Sequence, residues 1–203
     1  KPHVGMKVLV NLDLKEFFPT VTFRRVRGLF ESIGYSGAVA TIFALLCTES
    51  PRRRVEYDGR PWFVAIGPRA LPQGACTSPS ISNLVTRTLD KRLSGMASKL
   101  GWRYTRYADD LSFSCDREDA AAKPANPGWL MARVRHIVEE EGFALNPKKA
   151  RVQRPNAAQV VTGIVVNQKL SVPRDERRRL RAALHRAKKS GASIDHVTAG
   201  HLA

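Results

Sequence analysis

This sequence of 203 residues lacks any long apolar run. A membrane-spanning helix needs about 20 consecutive apolar residues, whereas the longest apolar stretch, residues 38–47, is shorter and contains Thr41. The N-terminus also lacks the basic, apolar and small-residue regions of a secretory signal. We therefore expect no interaction with a membrane and a cytoplasmic location.

An initial methionine is also missing. The chain begins at Lys1 and stops at Ala203 within polar sequence, so we expect a fragment of a longer protein. Its length suits one large domain or two small ones.

Cysteine is scarce. Cys47, Cys76 and Cys115 lie far apart, and no Cys-x-x-Cys or Cys/His cluster is present. A zinc site is therefore not expected. An odd number of cysteines without a secretion signal favours reduced thiols in a cytoplasm, where they would serve as small buried apolar residues.

Acidic residues are few: 18 Asp and Glu stand against 34 Lys and Arg, which gives a formal net charge of +16. A chain this basic usually binds a polyanion, most often nucleic acid. A basic surface that only keeps the protein soluble is the alternative. No basic amphipathic helix with a broad apolar face is present, so binding to a membrane surface is not expected.

Apolar periodicity predicts a mixture of strands and helices. A nearly continuous apolar run over residues 6–14 is typical of a strand buried on both faces. Asp58-Gly59 between alternating residues predicts a β-hairpin over 53–66. Two strands with a tight turn at Asp109-Asp110 are expected over 103–114, and short strands over 160–166 and 169–172. Helices are expected over 23–33, 36–47, 78–100, 129–141 and 173–189, which together indicates an α+β fold with a mainly antiparallel sheet.

Three carboxylates stand at strand ends. Asp13 ends the first apolar strand, and Asp109-Asp110 lies between two strands rich in apolar and aromatic residues. If these strands are neighbours, the carboxylates meet at one sheet edge, where hard oxygen ligands suit Mg²⁺. Two such ions about 4 Å apart would support an in-line phosphoryl displacement. The alternative is that Asp13 caps a helix and the Asp pair only forms a polar turn.

Two further segments could bind a nucleotide. Residues 71–79, Leu-Pro-Gln-Gly-Ala-Cys-Thr-Ser-Pro, form a glycine-containing loop before a helix, whose backbone N–H groups can approach a nucleotide or a template base. Phe17 and Phe18 follow Asp13 closely. One of them could form the wall of a sugar pocket and the other a part of the core, for which Phe17 is the candidate.

The order of these segments resembles that of reverse transcriptases. Residues 11–19 (Asn-Leu-Asp-Leu-Lys-Glu-Phe-Phe-Pro), 71–79 and 107–114 (Tyr-Ala-Asp-Asp-Leu-Ser-Phe-Ser) look like motifs A, B and C, and residues 142–149 look like motif D. The resemblance covers about residues 3–190. Within the family it is greatest to bacterial retron enzymes, because Val-Thr-Gly at 161–163 follows motif D. His3, ten residues before Asp13, is similar to the end of a second retron element.

The resemblance implies a role for each matching residue. Asp13 and Asp109 would bind two Mg²⁺ ions with the backbone carbonyl of Leu14, and Asp110 would be the third carboxylate. Lys149, or Lys148 if the register slips, would protonate the leaving pyrophosphate. Phe18 would exclude a ribose 2′-hydroxyl, Ala108 would touch the primer end, and the nucleotide would be bound by Phe17, Phe18, Gln73, Gly74 and Ala108.

The family's fold is a right-hand polymerase. It implies a palm with part of the fingers over residues 1–172 and the start of a truncated helical thumb over 173–203. The predicted helix at 173–189 is strongly basic, and one of its faces could follow a phosphate backbone through Arg177, Arg178, Arg181 and Lys188. A solvated surface helix is the alternative. Trp62, Trp102 and Trp129 are expected to pack in the protein rather than to stack on bases.

The function implied is RNA-directed DNA synthesis. A retron enzyme takes dNTPs and a structured RNA template, forms an RNA–DNA hybrid and branched RNA–DNA, and acts in phage defence with an effector protein as a further partner. Two alternatives stay open: a group II intron-like or CRISPR-associated reverse transcriptase, and a non-catalytic RNA-binding scaffold with a polymerase fold.

Overall fold

A computed structural model describes residues 1–116 and 126–190. It has a mixed α+β fold with antiparallel sheets, as expected. Its helices are α1 (Phe17–Thr20), α2 (Phe23–Ser32), α3 (Gly37–Cys47), α4 (Ser78–Val85), α5 (Arg87–Lys99), α6 (Pro127–Glu140) and α7 (Arg174–Ser190). Its strands are β1 (Val8–Asp13), β2 (Arg52–Tyr57), β3 (Arg60–Ala65), β4 (Arg103–Tyr107), β5 (Asp110–Cys115), β6 (Arg151–Gln153), β7 (Val160–Val161) and β8 (Ile164–Val165).

The central sheet has the strand order β4-β5-β1-β6. The first strand lies inside this sheet, which explains its near-continuous apolar sequence. Side chains alternate between the two faces of a strand, so Val10 and Leu12 lie on the face opposite to Asn11 and Asp13. The apolar face packs with α5 and α6 in one core, which includes Val8, Val10, Leu12, Leu89, Leu93, Phe113, Leu130 and Val134.

The other face of the sheet is polar near its centre. The Nδ2 of Asn11 donates to Ser112 Oγ at 3.4 Å and to the carbonyl of Val160 at 3.3 Å. His3 is buried against the same sheet, with its ring nitrogens 2.7 Å from Ser114 Oγ and 2.7 Å from Thr105 Oγ1. Asp13 therefore projects from a polar face.

Several elements lie within two residues of their predicted bounds. The hairpin of β2 and β3 turns at Asp58 and Gly59, whose φ values of 52° and 69° are those of the primed turn that this pair favours. The α6 helix begins earlier than expected, at Pro127, because Asn126 Oδ1 accepts from the Gly128 amide at 2.8 Å. Gly142 follows its end with a φ of 72°.

Three predictions were wrong in detail. The expected long helix at 78–100 is two helices separated at Thr86, whose backbone leaves the helical region at a φ of −90° and a ψ of 7°. Its Oγ1 also donates to the Ser82 carbonyl at 2.7 Å, a side-chain bond of the kind that bends helices. Residues 160–166 are a hairpin instead of one strand, since Thr162 and Gly163 have φ values of 45° and 81°. Residues 169–172 make only the bridge from Ser171 to Val165.

Burial expectations were met only in part. Cys115 and Trp102 are buried, but Cys76 is exposed, and Trp62 is 55% exposed on the outside of β3. The polar segment at 117–125 and the last residues of the expected thumb, 191–203, lie outside the described residues. In the described part of the chain, none of the helices combines the length and the apolar character needed to cross a membrane.

Candidate active site

Strand pairing brings the three carboxylate residues to one sheet edge. Asp13 at the end of β1 is the direct cross-strand partner of Asp110 at the start of β5. One residue further along, the amide of Leu14 donates to the carbonyl of Asp109 at 2.9 Å. The expectation that the Asp13 strand lies beside the Asp109-Asp110 turn is therefore confirmed.

Backbone conformation at this edge is unusual. Ala108, just before Asp109, has a φ of 50°, and so does Glu16, three residues after Asp13. Thr162 in the β7–β8 turn has a φ of 45°. The left-handed region is uncommon for residues with a side chain, and such outliers tend to cluster at functional sites.

Lys149 lies directly against Asp13. Its Nζ is 2.7 Å from Asp13 Oδ1, and the Asp13 side chain is only 7% exposed. The hydrogen bond to Asp13 and the charge of that carboxylate raise the pKa of Lys149 above its usual value. Asn146 positions the segment that carries this lysine. Its backbone N–H donates to the Asp13 carbonyl at 2.8 Å, and its side-chain Oδ1 accepts from the backbone N–H of Lys148 at 3.2 Å.

A cleft of about 560 Å³ opens on one side of Asp13. Phe17 is buried in the core, as expected, and its ring meets that of Phe18 edge-on at 5.3 Å, whereas Phe18 is only half-buried. Gly74 and Ala108 are not among the lining residues, although each is adjacent to one that is. The cleft is lined by Asp13, Leu14, Lys15, Glu16, Phe17, Phe18, Pro19, Gln73, Asp109, Asn146, Pro147, Lys148 and Lys149.

A second cleft, of about 510 Å³, adjoins the first at Asp13 and Lys149. Asp110 lines this second cleft, together with Thr162 and Gly163 of the β7–β8 turn. Gln153 ties that hairpin to the sheet, because its Oε1 accepts from the Val160 amide at 2.7 Å and its Nε2 donates to the Val160 carbonyl at 3.2 Å. The carboxylates thus stand between two clefts.

Negative charge accumulates at the edge. Burial raises the pKa of the Asp110 carboxyl, the charges of Asp109 and Asp13 raise it further, and Lys149 partly opposes them. Such an edge attracts cations. Among the residues that the structure describes, however, no three His, Cys, Asp or Glu side chains converge as a ready-made metal cluster, so the two Mg²⁺ ions stay a prediction.

The basic residues expected to bind nucleic acid lie on α7. Arg177, Arg178, Arg181 and Lys188 are exposed, and none of them lines either cleft. On this helix Ala187 is buried, whereas Leu180 is 54% exposed.

Comparison with known proteins decides the family. The model of the family described as reverse transcriptase (RNA-dependent DNA polymerase) matches residues 1–177. This chain belongs to the reverse transcriptase family. Members of this family generally use divalent metal ions, which agrees with an edge of oxygen ligands.

The relatives of this chain include retron enzymes. It is 50% identical over 189 residues to the retron Mx65 reverse transcriptase and 48% identical over 201 residues to the retron Mx162 reverse transcriptase, both of Myxococcus xanthus. It is 32% identical over 198 residues to the retron Ec86 reverse transcriptase of Escherichia coli. These alignments cover 93%, 92% and 97% of the chain but only 43%, 41% and 54% of the relatives.

The sequence analysis did not predict some of the residues that line the candidate site. The short strand β6, which pairs with β1 from Leu9 to Asn11, was not predicted, and with it Arg151 and Gln153 of the second cleft were overlooked. A three-residue strand carries almost no periodicity, so no local signal could have found it. Asn146 could have been found, because Asn-Pro is a typical start for a short helical turn.

Proposed function

We propose that this chain is the catalytic part of a retron-type RNA-directed DNA polymerase. The pairing of Asp13 with Asp110, beside Asp109 and Lys149, is the observation that carries the proposal. Its relatives are named retron reverse transcriptases, which favours this function over a group II intron-like or CRISPR-associated one.

The two clefts suit the two substrates of such a reaction. We assign the incoming dNTP to the cleft with Phe18 and Gln73, with Gly74 beside it, and the primer end to the cleft with Asp110 and Thr162. Both clefts reach Asp13, so an attacking hydroxyl and an α-phosphorus could meet there. The hydroxyl oxygen would bond to phosphorus as the bond to pyrophosphate breaks, and Ala108 would touch the primer.

The donor set fits magnesium. Asp13 and Asp109 would hold the ions with the Leu14 carbonyl, and Asp110 would adjust the field. A cation, the Lys149 ammonium, already sits at Asp13 Oδ1. Bound there, Mg²⁺ would lower the pKa of the attacking hydroxyl and neutralise phosphate charge.

Lys149 has a second task. Its Nζ lies at Asp13 in the cleft assigned to the dNTP, where the ammonium would donate a proton to the leaving pyrophosphate. Lys148 lines the same cleft, but Lys149 is the one in contact with a catalytic carboxylate.

The wider assignment follows the family. Residues 1–172 would form the palm with part of the fingers, and residue 173 would begin the thumb, where Arg177, Arg178, Arg181 and Lys188 would follow the RNA template or the RNA–DNA hybrid. The whole protein would act in the bacterial cytoplasm, making branched RNA–DNA in phage defence with an effector protein.

Primer extension on an RNA template with dNTPs tests the proposal. The protein at its natural length should extend the primer, and Asp109→Asn should reduce kcat by about 1000-fold or more because a metal ligand is lost. Asp116→Asn, an exposed aspartate at the far end of β5, is the matched control and should leave kcat unchanged. A wild type that binds RNA but extends nothing would favour the non-catalytic scaffold.

A further inference from the structure

Arg106 is a buried arginine directly behind the catalytic turn. It lies on β4, two residues before Ala108, and its side chain is only 5% exposed. Burying a guanidinium is costly unless its charge and its donors are all satisfied. The contacts of Arg106 therefore indicate what this residue is for.

One side of the guanidinium forms a bidentate ion pair with Asp90 in the first turn of α5. Nε donates to Asp90 Oδ1 at 2.8 Å, and a terminal nitrogen donates to Oδ2 at 2.7 Å, which is the two-bond geometry that fixes an arginine most firmly. The Tyr104 hydroxyl also donates to Asp90 Oδ1, at 2.8 Å. Burial and the nearby Asp90 raise the pKa of Tyr104, so this donor stays neutral.

The other terminal nitrogen holds the turn. It donates to the Ala108 carbonyl at 3.0 Å and to Asn83 Oδ1 of α4 at 3.1 Å. The guanidinium also lies 5.9 Å from the ring centre of Phe17, the aromatic that packs against Phe18. Arg106 thus contacts α4, α5, the turn and the wall of the nucleotide cleft.

The turn needs such support. Ala108 has a φ of 50°, which costs a residue with a side chain about 1–2 kcal/mol. The peptide group before Asp109 is held by Arg106, and the Asp109 carbonyl is held by the Leu14 amide at 2.9 Å. With both neighbouring peptide groups fixed, the backbone of Asp109 has one orientation.

We propose that Arg106 is a positioning residue for nucleotidyl transfer: anchored on Asp90, it holds the Ala108 carbonyl and so aims the Asp109 carboxylate. Its catalytic consequence rests on the function proposed above. A lysine cannot replace it, because one ammonium cannot form the two bonds to Asp90 and also reach the carbonyl.

Arg92 provides a matched control. It lies on α5, as Asp90 does, and like Arg106 it forms ion pairs, here with Glu140 and Glu141 at the end of α6, but none of its described contacts is with the turn. Loss of a helix-to-helix ion pair and loss of support for the turn can therefore be separated.

The kinetic test uses primer extension by the protein at its natural length. Arg106→Lys should lower kcat by about 100-fold, the cost expected of a misplaced catalytic group, with KM for dNTP changed less than about twofold. Arg92→Gln should leave kcat unchanged. An Arg106→Lys enzyme with more than half of the wild-type kcat, while Asp109→Asn is inactive, would overturn the proposal.

Amide hydrogen exchange provides a readout that does not depend on activity. In Arg106→Lys, the Leu14 amide should exchange about tenfold faster or more, because its acceptor on Asp109 is no longer held. In Arg92→Gln it should exchange as in wild type. Unchanged exchange at Leu14 in Arg106→Lys overturns the positioning role, whereas a wild type that extends no primer overturns only the proposed function.

Discussion

Two adjacent aromatic residues divide the work of core and cleft. Phe17 is buried against Phe18 and Phe143, with ring centres 5.3 and 5.9 Å away, whereas Phe18 reaches the cleft that also contains Asp13 and Gln73. The sequence placed both rings near Asp13 and predicted Phe17 as the core residue, and the burial of Phe17 confirms that prediction. The directions of the two rings depend on α1, a single short turn that begins after the left-handed Glu16.

Phe18→Ala should relax sugar selection. Removing the ring opens space for a ribose 2′-hydroxyl, so incorporation of rNTPs should rise about tenfold or more relative to dNTPs, with little loss of dNTP use. Competitive primer extension with rNTP and dNTP measures this ratio. Phe17→Leu is the control, which should destabilise the fold by about 1 kcal/mol without changing the ratio. An unchanged ratio in Phe18→Ala would contradict the role of Phe18 in excluding the ribose 2′-hydroxyl.

His3 makes stability depend on pH. Burial, and the positive charge of Arg103, lower its pKa to about 4 from the usual 6.5. The unfolded chain therefore binds a proton more readily than the folded one, so stability is fully present above pH 6.5 and falls as the pH decreases towards 4. His3→Gln should lack this part of the pH dependence.

Urea unfolding at pH 7.5 and at pH 4.5 checks the His3 prediction. At the higher pH the variant should be less stable by about 1–2 kcal/mol, since the bonds to Thr105 and Ser114 are weakened. At the lower pH the difference should shrink. If wild type and His3→Gln lose the same stability between pH 7.5 and pH 4.5, His3 is excluded as the titrating group.

Among the helices and strands, those set by local sequence could be predicted, and those set by contacts between distant residues could not. The β2–β3 hairpin was predictable because Asp58-Gly59 selects its own turn. The interruption of the helix at Thr86 was not, because threonine is tolerated within helices, and its buried environment decides its bonding. The pairing of β6 with β1 joins residues 140 to 144 positions apart, which no local pattern encodes.

The β7–β8 hairpin offers an element-scale prediction. Gln153→Leu removes both bonds to Val160 and the bond from Nε2 to Asn11 Oδ1 at 3.1 Å. The hairpin should then shift at the second cleft, so KM for the primer–template should rise about threefold to tenfold while KM for dNTP stays constant. Steady-state extension with each substrate varied in turn measures both.

Gln168→Leu is the control for the hairpin, because Gln168 is exposed just after β8. It should leave both KM values unchanged. A rise of the dNTP KM in Gln153→Leu, with no change for the primer, would reverse the assignment of the two clefts.

For the whole molecule, the net charge of +16 was the most direct guide to a nucleic-acid partner. Composition fixes the sign of the charge but not its position. The structure puts the three Asp residues at one sheet edge and leaves the basic side chains of α7 exposed. The family motifs predicted the candidate active site because each motif lies at the end of a strand or before a helix, where geometry follows from chain order.

Neutralising α7 should weaken the salt dependence of RNA binding. Replacing Arg177, Arg178, Arg181 and Lys188 with Gln removes four positive charges, so the slope of log K against log salt concentration should fall by up to about three units. Titrations at several salt concentrations measure the slope. A control variant with Lys at the three arginine positions keeps the charge and should keep the slope. Equal slopes in the Gln variant and wild type would instead mean that α7 is a solvated surface helix.

The methyl group of Ala108 affects which substitutions the Asp109-Asp110 turn can accept. A glycine there would fold about equally well, because relief of the left-handed backbone and the greater freedom of the unfolded chain nearly cancel. The glycine would, however, let the backbone of the turn before Asp109 sample more conformations. Selection at this position should thus act on precision of catalysis rather than on folding, so a damaging exchange would pass unnoticed in a thermal melt.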